Sequence, residues 1–254
     1  MPVCNGGDLA ELLALTQDPR KIPLSVGLAW HICAQLGRAL LYLHFGRHNG
    51  HTEPNWPLLT HEDIHPNNVL FRFFGGRGGE GKESKQFENY PDVVLADFGK
   101  AWFSERRSAS PDRLYTGLTR QHRDVQALGA MLRFFPNRVD SVGLSKAIAL
   151  LDDVAPPKKG VQRNEYACVA LQRFVKFAEK QREGLYIPLG EELIARFDKG
   201  VVTDEELEET FPALLLAEPP ASSGPRNGNT PTEDDKAAGA KTRNRRKRSK
   251  CVTL

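Results

Sequence analysis

The stretch Thr60-His61-Glu62-Asp63-Ile64-His65-Pro66-Asn67-Asn68-Val69-Leu70 sets a carboxylate, Asp63, and a carboxamide, Asn68, five positions apart just ahead of an apolar run. A second carboxylate opens the triplet Asp97-Phe98-Gly99, which follows another apolar run, Asp92 to Ala96. Oxygen ligands of this kind suit Mg²⁺, a hard cation that takes one or two protein oxygens and completes its shell with phosphate and water. A further carboxylate beside such a cation can position a hydroxyl nucleophile. Phosphoryl transfer asks for little more, because positioning and charge neutralisation supply most of its catalysis.

Those groups need elements to hold them. Asp8 to about Leu15 reads as a short helix with an acid at its start. From about Leu24 to His44, the residues Leu28, Ile32, Leu36, Ala39, Leu40 and Leu43 recur at three- and four-residue spacing, which predicts a helix with one apolar face. Val69 to Phe73 and Asp92 to Ala96 predict two short strands, joined through the glycine-rich connector Gly75 to Gly81. Further helices are expected at about 121–135, 141–153, 163–182 and 190–198. The folded region is expected to span 1–200, followed by a helical extension over 201–217. Residues 218–254 are Pro, Gly, Ser, Thr and charge, with too little apolar surface to offset ordering entropy, and are expected to be disordered.

In this order of motifs the chain resembles the eukaryotic protein kinase family. The resemblance runs over about 1–200 at the level of element order and is specific over 1–9, 59–70, 93–101 and 124–129. It implies a protein kinase-like fold, a mainly α C-terminal lobe with short β-hairpins. It implies ATP and Mg²⁺ as the cofactors. Asp63 would orient or deprotonate the acceptor hydroxyl, with His65 beside it among the catalytic residues, and Asn68 and Asp97 would be the metal ligands. His61 would pack beneath the D-F-G turn. Leu70 would line the floor of the adenine pocket. The opening Met1 to Leu9 resembles a kinase hinge, which would bring Asp8 near the ribose hydroxyls. Asp124 would brace the backbone of the catalytic loop. A hinge at Met1 implies that the N-terminal lobe is absent, with its Gly-rich loop and lysine, so the chain is expected to be truncated and to bind ATP weakly. The string Gly76 to Gly81 formally fits G-x-G-x-x-G, but it lies between catalytic loop and D-F-G and reads as a linker.

Several departures bear on substrate and control. Glu62 stands where the family carries arginine, which argues against switching by a phosphate on the activation loop. His65 replaces the usual lysine of serine/threonine kinases, and D-x-H-P-x-N is also the look of aminoglycoside and choline kinases. Asp97 and Asp124 lie only 27 positions apart with no A-P-E between them, so the peptide platform is shortened. The leading expectation is transfer of the γ-phosphate to a protein Ser/Thr hydroxyl, with the protein substrate unspecified. The alternatives are a small-molecule kinase and a non-catalytic interaction module that keeps the carboxylates as inherited structure.

Composition limits the remaining classes. Cys4, Cys33, Cys168 and Cys251 form no C-x-x-C pair, which argues for a reducing compartment and against a zinc site. No apolar run is long enough to cross a bilayer, and no signal peptide opens the chain. Without its seven Lys and Arg at 241–250, the chain's net charge of +3 becomes −4, so the body is acidic and only the tail is basic. No nucleic-acid partner is expected from that distribution. The basic run reads as a nuclear localisation signal, and Cys251-Val252-Thr253-Leu254 fits a C-a-a-X tetrapeptide. Expected placement is intracellular, nuclear or cytoplasmic, with membrane contact if Cys251 is prenylated.

Overall fold

The structure is a computed structural model that describes residues 4, 6–17, 24–48, 50–73, 90–105, 109–136, 139, 142–183 and 185. By its contacts the chain divides into two compact units, 1–201 with 249–254 and 202–248, and every described residue belongs to the first. The described residues form α1 (Leu9–Leu15), α2 (Val26–Phe45), β1 (Arg47–His48), β2 (His51–Thr52), β3 (Leu58–Thr60), β4 (Val69–Arg72), β5 (Asp92–Leu95), β6 (Trp102–Ser104), α3 (Pro111–Leu132), α4 (Val142–Asp152) and α5 (Glu165–Glu183). The strands pair antiparallel as β1–β2, β3–β6 and β4–β5. The result is a mainly helical body carrying small two-stranded ladders.

The helix starts are written into the side chains. Asp8 accepts the Glu11 N–H at 2.8 Å, and the Glu11 carboxylate accepts the Asp8 N–H at 3.3 Å, a reciprocal capping box. Ser25 caps α2 by accepting the Leu28 N–H at 3.1 Å. The helix stops at Gly46, whose φ of 62° is left-handed and natural for glycine. Asn164 caps α5 from the Ala167 N–H at 3.2 Å and donates to the Leu118 carbonyl at 3.3 Å, which ties the start of α5 to α3.

α2 runs through the centre of the core. Trp30, His31, Ile32 and Cys33 are buried in succession, so nearly its whole circumference faces protein, not one stripe of it. Its main neighbour is α5, and the approach is close: a Cβ on Gly37 would lie 2.6 Å from Val175 Cγ2.

Most expected elements sit within two residues of their predicted bounds. α3 is the exception, since it begins at Pro111, ahead of the expected start near 121, and ends at Leu132. Ser110 caps it from the Arg113 N–H at 3.3 Å and Pro111 takes the first turn, where a missing N–H costs nothing. The early turns are held from outside, with Gly117 against Trp102 of β6. The connector 75–81, the helix expected at 190–198, the extension 201–217 and the tail 218–254 with Cys251 lie outside the described residues. Among the described residues, no helix is long and apolar enough to cross a membrane.

Candidate functional site

The β4–β5 register sets the site. Val69 faces Leu95 and Leu70 faces Val94, so Asn68, just before β4, meets Ala96, just after β5. The Ala96 N–H donates to the Asn68 carbonyl at 2.8 Å, and Asp97 is the next residue. Pro66 starts a short 3₁₀ turn over Pro66–Asn68, and the Asn68 side-chain nitrogen donates to the Asp63 carbonyl at 2.9 Å. An amide that donates through nitrogen offers its oxygen as the ligand atom. Asp97 has φ 60°, left-handed, and accepts the Gly99 N–H on its own Oδ1 at 3.1 Å, a short Asx turn that aspartate tolerates.

Asp63 lies between two basic side chains. Lys100 Nζ donates to Oδ1 at 2.8 Å, and His65 Nε2 lies 3.7 Å from Oδ2. The Lys100 ammonium holds the Asp63 carboxyl below its ordinary value; slight desolvation pushes the other way, and His65 and Asn68 add to Lys100. The carboxylate therefore stays ionised and ready to accept.

The loop behind Asp63 is fixed from below by α3. Asp124 is buried and accepts the backbone N–H of His61 at 2.7 Å and of Glu62 at 2.9 Å, while His44 Nε2 of α2 meets the same carboxylate at 2.9 Å. His61 is buried, its ring edge-on to Phe98 at 4.6 Å between centroids. Desolvation lowers its pKa, against the raising pull of the Ala96 carbonyl and of Asp124, so the neutral imidazole is favoured. Nδ1 accepts the Asp63 N–H at 3.3 Å, which makes Nε2–H the donor to the Ala96 carbonyl at 2.8 Å. One imidazole thus joins the Asp63 loop to the D-F-G segment.

Asp8 and Leu70 form an isolated antiparallel bridge, extended by the bonds Gly6 N–H to Phe71 O at 2.9 Å and Phe71 N–H to Gly7 O at 3.0 Å. All six expected site residues therefore fall on the 61–68 loop, on β4, or on segments hydrogen-bonded to them. Asp8 also spends one carboxylate oxygen on capping α1.

Three contributors, Lys100, Arg120 and His44, were not anticipated. Lys100 follows D-F-G directly, and a basic residue there was the available signal. Arg120 pairs with Glu62 and lies over the Trp102 ring at 5.5 Å; the signal was that a carboxylate at Glu62 needs a counter-charge. His44, which meets the Asp124 carboxylate from α2, is buried in the core, and no spacing in the sequence marks it. Among the described residues, no group of three or more His, Cys, Asp and Glu could hold a metal by itself. The donor set that is present, one amide oxygen and one carboxylate, fits Mg²⁺ sharing its shell with phosphate oxygens and water. No family model matches the chain, and no curated protein matches it.

Proposed function

We propose that this chain carries the catalytic-loop lobe of a protein kinase-like phosphotransferase, moving the γ-phosphoryl group of ATP to a hydroxyl. The observation that carries the reading is the closed circuit of Asp63, Asn68 and the Ala96-Asp97 step, backed by the Asp124 carboxylate. Asn68 and Asp97 would hold Mg²⁺, which neutralises phosphate charge when bound. Asp63 orients the acceptor hydroxyl and takes its proton as the acceptor oxygen bonds the γ-phosphorus and the bond to the β–γ bridging oxygen breaks. Leu70 supplies apolar surface to the base, and Asp8, bridged to it, faces the ribose. A Ser/Thr side chain of a protein is the acceptor in this reading. A small-molecule acceptor is favoured by one feature: only residues 105–110 join β6 to α3, which then runs unbroken through Asp124 and leaves little chain for a peptide platform.

The test is titration of the chain with MgATP by calorimetry or equilibrium dialysis. Mg²⁺-dependent binding that disappears in Asp97→Ala supports the reading. A response identical in Asp97→Ala and the wild type removes it.

A further inference from the structure

We propose that Lys100 is a ligand for the γ-phosphoryl group at this site, an inference that rests on the phosphotransferase reading above. Lys100 closes the 3₁₀ turn Phe98–Lys100 that Asp97 caps, so one short turn carries both the metal-side carboxylate and an ammonium. That ammonium sits 2.8 Å from Asp63 Oδ1, where the acceptor hydroxyl must come. Its side chain is 67% exposed and that of Asp63 is 21% exposed, so the lysine covers the carboxylate from the solvent side, the side a substrate approaches.

Charge decides what it does there. Asp63 and Asp97 together present two negative charges to a polyanionic phosphate. Mg²⁺ held by Asn68 and Asp97 would offset the Asp97 charge and turn its remaining charge to the phosphates, which leaves the Asp63 carboxylate facing them. Beside Asp63, the cationic candidates among the described residues are His65, charged only when protonated, and the ammonium of Lys100, which makes the shorter contact. A lysine ammonium has three donors, and the Asp63 contact occupies one. The flexible four-carbon stem lets it hold the carboxylate and an incoming phosphoryl oxygen together.

The competing account is an ordinary surface ion pair, and nucleotide discrimination separates the two. MgATP has the γ-phosphoryl group and MgADP lacks it. Dissociation constants for both are measured on the wild type, Lys100→Met, Lys100→Arg and Asp97→Ala. The expected result is that Lys100→Met weakens MgATP about fivefold and leaves MgADP unchanged, while Lys100→Arg keeps most of the MgATP affinity. Equal losses for both nucleotides, or no loss, overturn the assignment of Lys100 alone when wild-type binding depends on Asp97. If the wild type binds neither nucleotide, or binds without need of Asp97, the phosphotransferase reading falls and takes this inference with it.

Discussion

Glu62 and Asp97 both occupy the left-handed region, at φ 63° and 60°, and they flank the groups on which the site depends. An L-residue held there costs roughly 1–2 kcal/mol, so each needs an external hold. Asp97 supplies its own through the Gly99 N–H. Glu62 is held at its backbone by Asp124 and at its carboxylate by Arg120 and the Thr60 hydroxyl, the last at 3.0 Å. Because Glu62 precedes Asp63 directly, this pair sets the direction in which Asp63 leaves the loop. Its side chains are 23% and 30% exposed, so the pair is worth more than a surface ion pair and less than a buried one. A double-mutant cycle of Glu62→Gln and Arg120→Met, read by urea unfolding, is expected to give a coupling of about 1 kcal/mol. Strict additivity would mean that the ion pair holds nothing.

At the scale of elements, the α2–α5 contact shows how packing overrides local preference. Gly37 sits in mid-helix, where glycine is a poor helix former, yet any larger residue meets Val175 and Phe174 at once. Gly37→Val gains only a few tenths of a kcal/mol of helix propensity and overpacks by about 2–3 kcal/mol. The expected outcome is a net loss of about 2 kcal/mol in denaturant unfolding, and a more stable variant would contradict the close approach. The same competition explains what could be read in advance. α2, α4 and α5 announce themselves through recurring Leu, Ile, Val and Phe, and β4 and β5 through runs such as Asp92-Val93-Val94-Leu95, because local chain chemistry and burial agree there. β1, β2, β3 and β6 are two or three residues long, too short for any alternation to register. Their existence is a tertiary event: Leu58 pairs with Ser104 across 46 positions of chain. The first turns of α3, Asp112 to Thr116, hold only Leu114 and Tyr115 as apolar side chains, too few to show a period, although Ser110-Pro111 is a helix-start signal in its own right. At the site, the acidic and amide groups were legible from motif spacing. The pairings of their counter-charges Lys100 and Arg120 were not: a basic residue after D-F-G and a carboxylate at Glu62 are visible locally, but each partner comes from another turn or helix, and only the fold says which pair forms.

Over the whole described body, one imidazole joins elements far apart in sequence. His31 of α2 donates from Nε2 to the Pro91 carbonyl at 3.0 Å, beside the start of β5, and its Nδ1 accepts from Arg182 of α5 at 3.2 Å. Tyr90 packs edge-on at 5.2 Å. With a guanidinium donating to Nδ1, only the neutral ring fits. Burial first, and then Arg182 with a smaller contribution from Arg38, push the pKa down from 6.5 to about 4, while the Pro91 carbonyl pulls it back up in part. Between those two values the unfolded chain binds a proton that the folded chain refuses, so stability falls as pH falls. His31's contribution is complete above about 6.5 and is lost progressively toward 4. Burial lowers His61 and His122 as well, and both act in the same sense. Asp63, with its pKa depressed, loses its contribution only at more acid pH, below the histidine window. Going from about pH 7.5 to about pH 5, His31 alone is expected to remove about 2 kcal/mol. Urea midpoints of the wild type and His31→Asn across that range isolate its share, since asparagine titrates in neither state. The wild-type midpoint is expected to drop with pH and the variant's to drop less, starting from a lower value. Parallel pH dependences in the two proteins would mean that His31 takes up its proton without resistance, which a ring wedged between a guanidinium and a buried carbonyl cannot do.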